Sequence, residues 1–242
     1  MGLPPSGPPS GPVITRAMLR DTGLDHLFER PIPGITLLTE AERAASLAGL
    51  LAARRERGGG AWVFAYGSLI WNPAMHYAER RFARVHGWHR SFCLSASAGR
   101  GTPEAPGLLL GLDRGGACAG AAFRIEEAAL EEELSILWRR EMVAGSYRPL
   151  WLRVRDEAGA PFGHAIAFTI RRDGVWYAGA LSEEETIRRL ATASGRLGTS
   201  AEYLLHTRDG LRSLGIVDRR IERLASEVET VLQLEKKRAD PY

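Results

Sequence analysis

Between Trp62 and Ala178 the chain reads as a succession of short apolar segments, most of them stopped by Gly, Pro or Asp. Trp62-Val63-Phe64-Ala65-Tyr66 is the first, cut off by Gly67, and residues 82–88, 107–112, 117–125, 149–155, 164–171 and 175–178 follow. Short apolar runs bounded by turn formers are strand signals. They do not alternate regularly with helices, so a mixed or largely antiparallel sheet is expected, with a closed barrel as one way to arrange it.

Helical periods interrupt this series and then end it. Thr39 and Glu42 form a capping-box pattern ahead of Ala44, Leu47, Leu50 and Leu51. Residues 126–142 place Leu130, Leu134, Leu137 and Trp138 on one helical face, and 183–194 do the same with Ile187, Leu190 and Ala191. Thr199 and Glu202 make a second capping box, and Asp218 opens a last amphipathic helix. The class is α+β. Residues 1–12, rich in Pro, Gly and Ser, are expected to be a disordered tail, and 13–60 an N-terminal helical extension. The main domain is expected over 61–234, with a charged, frayed tail at 235–242.

Composition narrows the function classes. No run of about 18 apolar residues occurs, which excludes a conventional transmembrane helix, and the N-terminus lacks the basic and apolar regions of a secretory signal. The cytoplasm is the expected location. Cys93 and Cys118 are isolated in apolar stretches and read as small buried hydrophobes in a reducing compartment. No histidine pair has metal-ligand spacing on a helix face with a carboxylate partner, so no dedicated zinc site is expected. The 32 basic and 29 acidic residues leave a net charge of only +3. The arginines come as scattered pairs without interleaved aromatics, which speaks against nucleic-acid binding. Glycine is the outlier, at 27 of 242 residues against a usual ~7%.

Part of that glycine sits where chemistry is conceivable. Tyr66-Gly67-Ser68-Leu69 follows a buried strand and can present several backbone N–H groups in a small concave loop, or it can be an ordinary strand-ending turn. Gly99-Arg100-Gly101-Thr102-Pro103 and Gly195-Arg196-Leu197-Gly198 are either connections or rim loops of a site. Glu141 falls in the middle of the apolar sector of its helix, whereas Glu126, Glu127, Glu131, Glu132 and Glu133 read as first-turn or solvated-face residues. A desolvated carboxyl has a raised pKa and suits general acid–base work near neutral pH. The alternative is a Glu141 paired with Arg139, Arg140 or Arg148 at the helix end.

The ordered stretches VFAYGSLIWNPAM, GWHRSFCL, AGRGT, PGLLLGL, LWRREM and ASGRLGTSAEYL resemble the ChaC family of γ-glutamylcyclotransferases, its bacterial form in particular, over residues 60–232. The resemblance implies a small mixed β-barrel flanked by helices, no cofactor, and cleavage of glutathione to 5-oxoproline and cysteinylglycine. It places the substrate loop on Tyr66, Gly67, Ser68 and Leu69, the catalytic carboxylate on Glu141, and a substrate-side tyrosine at Tyr203. In that reaction the α-amine of the γ-glutamyl group attacks its own γ-carbonyl, so no enzyme nucleophile is needed. Glu141 would take a proton from the amine and return it to the leaving nitrogen. The loop N–H groups, with Tyr66 as a candidate donor, would hold the oxyanion or the α-carboxylate. A cyclotransferase for other γ-glutamyl amino acids or amines is the nearest alternative, and a non-catalytic nucleic-acid-binding protein the distant one. Oligomeric state stays open.

Overall fold

The computed structural model describes residues 13–28, 31–55 and 58–239; the proposed tail at 1–12 lies outside them. Its centre is a closed five-stranded barrel built from β1 (Ala61–Ala65), β2 (Glu79–Ala96), β3 (Gly107–Ile125), β4 (Tyr147–Arg155) and β5 (Pro161–Ile170). The order around the barrel is β1-β3-β2-β4-β5. The pairings are antiparallel except at β5, which runs parallel to β1 through Trp62 with Ala165 and Val63 with Ile166 and to β3 at Leu112 with Thr169.

The long strand β3 joins the two expected segments 107–112 and 117–125, and β2 runs on past the expected 82–88 to Ala96. Gly87 on β2 lies opposite Gly115 and Gly116 on β3, all three with positive φ, and the register shifts there between His86 and Trp88. Glycine adopts that geometry without steric penalty, so both strands bend together instead of ending. Residues 175–178, expected as a strand, contribute only one isolated bridge, Tyr177 to Leu94. In β5, Ala165–Ile170 are buried without interruption, as a strand covered on both faces requires. Phe64, Leu108, Leu112, Phe123 and Ile166, each at most 1% exposed, belong to the central core.

The helices surround this barrel. The helix α3 (Leu130–Glu141) buries Leu130, Leu134, Leu137 and Trp138, and the Trp138 ring stands edge-on to Phe168 of β5 at 5.2 Å. The segment before β1 supplies α1 (Arg16–Asp21) and α2 (Glu40–Ala52), whose capping box at Thr39 and Glu42 is formed. Ser46 of α2 accepts from Trp138 Nε1 at 3.3 Å, and the Leu50 carbonyl accepts from Trp151 Nε1 at 2.8 Å. Glu133 departs from the expected solvated face: it is 2% exposed, ion-paired with Arg16 of α1, and accepts from the His76 amide at 2.9 Å. Helical periodicity did not reveal α1 covering that face.

After β5 come α4 (Glu183–Thr192), the two-residue strands β6 (Ser194–Gly195) and β7 (Gly198–Thr199), α5 (Ser200–Arg212) and α6 (Arg219–Ala239). The second capping box, Thr199 with Glu202, starts α5. Asp218 caps α6 by accepting from the amides of Arg220 and Ile221. The segment from Glu235, expected to fray, continues α6 to Ala239.

Candidate active site

The loop after β1 turns through a short 3₁₀ segment at Ser68–Ile70. Gly67 and Leu69 are buried, yet among the described residues no acceptor takes the amide protons of Gly67, Ser68 or Leu69. Consecutive amides without acceptors in a largely buried loop suit an anionic ligand. The same loop is fixed from behind by Arg90, whose Nε donates to the Tyr66 carbonyl at 2.7 Å while its Nη1 is ion-paired with Asp218.

Glu141 reaches this loop from the end of α3. Its side chain, 13% exposed, lines a pocket with Tyr66, Gly67, Ser68, Leu69 and Tyr203, so every residue singled out for the site falls in one place. Burial pushes the Glu141 carboxyl above its usual range, opposed by the adjacent Arg140 guanidinium, whose Nε lies 3.0 Å from Oε1. A position at a helix C-terminus, next to unpaired carbonyls, also disfavours negative charge. Of the two sequence readings of Glu141, pairing and desolvation, the structure contains both. Arg139 turns away, to Glu40 and the Arg20 carbonyl.

Arg140 enters the sequence reading only as one of three candidate partners for Glu141, and the structure selects it. Buried at 8% exposure, it donates through Nη2 to Ser68 Oγ at 2.9 Å and through Nη1 to the Asn72 carbonyl. It therefore bridges the carboxyl to the amide loop. The buried Tyr66 and Tyr203 and the half-buried Tyr147 complete the pocket, and desolvation raises the pKa of each, which keeps them protonated as hydrogen-bond donors. Tyr66 already donates to the Phe168 carbonyl at 2.7 Å, so its hydroxyl proton is committed to β5 rather than free for an oxyanion. Tyr147, unsignalled by the sequence, donates to the Leu110 carbonyl at 2.9 Å. The Tyr203 hydroxyl lies beside the Leu110 backbone and the Ser68 side chain.

On the far side of Glu141 lies a cavity of about 160 Å³ that shares Ser68, Glu141, Tyr147 and Tyr203 with the pocket. The glycine loops form part of its rim. Gly99 and Arg100 line it, and Gly195 sits so close to Gly99 that a Cβ would come within 2.4 Å of the Gly99 carbonyl oxygen. Arg100, 8% exposed, donates to the Thr199 carbonyl at 3.0 Å and pairs with Glu202. No group of His, Cys, Asp and Glu suited to a metal occurs among the described residues.

The model of the ChaC-like protein family matches residues 61–231, which carry the barrel, the amide loop and Glu141. The chain belongs to the ChaC-like family. A glutathione-specific γ-glutamylcyclotransferase of Escherichia coli (strain K12) is 41% identical over 220 residues, 91% of this ChaC-like chain and 94% of that protein. γ-Glutamylcyclotransferase 2-1 of Arabidopsis thaliana is 33% identical over 72% of this chain and 84% of its own. Among solved structures, a glutathione-specific γ-glutamyl cyclotransferase from yeast superposes with a TM-score of 0.65 at 21% identity, covering 72% of this chain and 97% of that one, a likeness of fold. The ChaC-like barrel with flanking helices is thus the expected one.

Proposed function

We propose that this protein is a glutathione-specific γ-glutamylcyclotransferase, a lyase acting in the cytoplasm, that converts glutathione to 5-oxoproline and cysteinylglycine. The observation that carries the reading is the placement of a desolvated carboxyl, Glu141, in the same pocket as the acceptor-free amides of Gly67, Ser68 and Leu69. The sequence kinship with the E. coli enzyme supports the substrate.

The substrate α-amine arrives as an ammonium ion. Glu141 takes its proton, and the freed lone pair attacks the γ-carbonyl carbon to form the ring C–N bond. Negative charge moves to the carbonyl oxygen, and the amides at 67–69 are placed to stabilise it or to grip the α-carboxylate. As the bond to the cysteinyl nitrogen breaks, Glu141 returns a proton to that nitrogen. The ring nitrogen then gives its extra proton to the regenerated Glu141 carboxylate, which passes it to the departing amine so that cysteinylglycine leaves as an ammonium ion. Arg140 keeps Glu141 ionisable, because burial alone would push the carboxyl further toward its neutral form.

The test is release of 5-oxoproline from glutathione, γ-glutamyl-alanine and γ-glutamyl-lysine by the purified protein. Glutathione is expected to show a kcat/KM at least about tenfold above the others, a difference of ~1.4 kcal/mol. Preference for either alternative would reassign the substrate, and no release from any of the three would reject the activity.

A further inference from the structure

The cavity beyond Glu141 is not built by the family region alone. Leu24, Leu27 and Phe28, which precede residues 61–231, form a wall of it facing Leu94, Trp176 and Leu197. None of these three touches the inner pocket around the amide loop. The inner pocket takes the γ-glutamyl group that cyclises, so the outer cavity lies on the side of the scissile bond where the leaving group must sit.

The wall is anchored from several directions. Leu24 is 6% exposed, in a cluster with Leu19, Ile136 and Val143. Phe28 stands edge-on to Trp176, with centroids 5.9 Å apart and rings at 87°. Leu27 lies over Gly99, where a Cβ would be 3.8 Å from its Cδ1. Asp25, in the same 3₁₀ turn, takes both Nη atoms of the buried Arg43 of α2 at 2.9 and 3.1 Å, and the His26 carbonyl accepts from Arg196 at 3.3 Å. Such fastening holds Leu27 and Phe28 at a set distance from Trp176 without needing substrate to order them.

We propose that the Leu24–Phe28 segment is part of the substrate site, an apolar wall that contacts the aminoacyl leaving group and selects for the compact, weakly polar side chain of cysteine. The inference rests on the functional reading above. Contact with bound substrate and transition state alike is uniform binding, which acts on KM and leaves kcat in place.

Phe28→Ala and Leu27→Ala are each expected to raise KM for glutathione about tenfold, the scale of losing one apolar contact surface, with kcat within about twofold. With γ-glutamyl-methylamide, whose leaving group is too small to reach the wall, KM should be the same for variant and parent. Phe28→Leu refills the wall and is expected to bring KM for glutathione back to within about twofold. Leu19→Ala, buried in the same cluster but not lining the cavity, serves as a structural control: it should lower Tm and leave KM unchanged. If Phe28→Ala and Leu27→Ala leave KM for glutathione unchanged, or change it equally for both substrates, the proposal is overturned while the cyclotransferase reading stands. A parent protein inactive on glutathione overturns both.

Discussion

Arg140 donates to Ser68 Oγ across 72 residues of sequence at 2.9 Å, tying the end of α3 to the amide loop after β1. The same guanidinium faces Glu141, so one side chain sets both the position of the loop and the charge of the carboxyl.

Arg140→Gln removes the cation that lowers the Glu141 pKa and leaves burial unopposed. The acidic limb of the kcat/KM profile should therefore move to higher pH. A charge-assisted contact of this kind is worth roughly 1.5–3 kcal/mol, so kcat/KM near neutral pH should fall about 10- to 100-fold. A pH profile of the variant that overlays the parent would separate Arg140 from Glu141.

Glu141→Gln keeps the shape and removes the proton acceptor, with an expected kcat loss of about 10²–10⁴-fold. Stability supplies a second readout. The folded-state pKa of Glu141 lies above the ordinary 4.5, so between 4.5 and that raised value the native state binds more protons than the unfolded state. Stability contributed by this group therefore declines as pH rises through that interval. Compared with Glu141→Gln, the parent should lose unfolding free energy across that interval and then level off, as denaturant melts at a series of pH values would show. A constant gap between the two proteins across this range would contradict a raised pKa.

Gly67→Ala would place a Cβ 3.0 Å from the Tyr203 hydroxyl and 3.4 Å from Leu110 Cδ1. The tyrosine must shift by a few tenths of an ångström, away from the loop it faces. We expect kcat/KM to drop about tenfold and stability by about 1 kcal/mol, typical of mild overpacking. The stability loss should shrink in a Tyr203→Phe background, where the hydroxyl is gone. A double-mutant cycle reads this coupling, and additive losses would show that the crowding lies elsewhere.

Asp218→Ala removes the cap of α6 and the partner of buried Arg90, which also holds the Tyr66 carbonyl. Loss of a cap together with a largely buried pair should cost about 2–4 kcal/mol in chemical denaturation. Arg90→Met frees the Tyr66 carbonyl at the start of the loop and should raise KM more than it lowers kcat. Equal changes in both would make Arg90 a purely structural clamp.

Much of this was legible in the chain itself. The apolar period of α3 placed Glu141 on a dry face, and the capping boxes at Thr39 and Thr199 marked helix starts that the structure contains. These are properties of residues three or four apart, which the backbone geometry of a helix brings together whatever surrounds it. The same reasoning misplaced Glu133, because the periodicity of one helix says nothing about α1 and Arg16 arriving from 117 residues away. Local sequence offered Arg140 as a partner for Glu141 but not for the amide loop, and Tyr147 carried no local signal at all. Their partners, Ser68 and the Leu110 carbonyl, become neighbours only when the barrel closes.

The glycines divide the same way. Composition and position marked the YGSL loop as a turn able to expose amides, but whether those amides keep their protons free depends on strands and side chains far along the chain. Local sequence thus determined helix starts, the strand series and a carboxyl on an apolar face, since each depends on short-range backbone geometry. Only the tertiary structure decided which loop that carboxyl meets, which arginine tempers its charge, and that Leu27 and Phe28 wall the cavity. Those outcomes depend on contacts between distant segments, which burial of the shared core brings together.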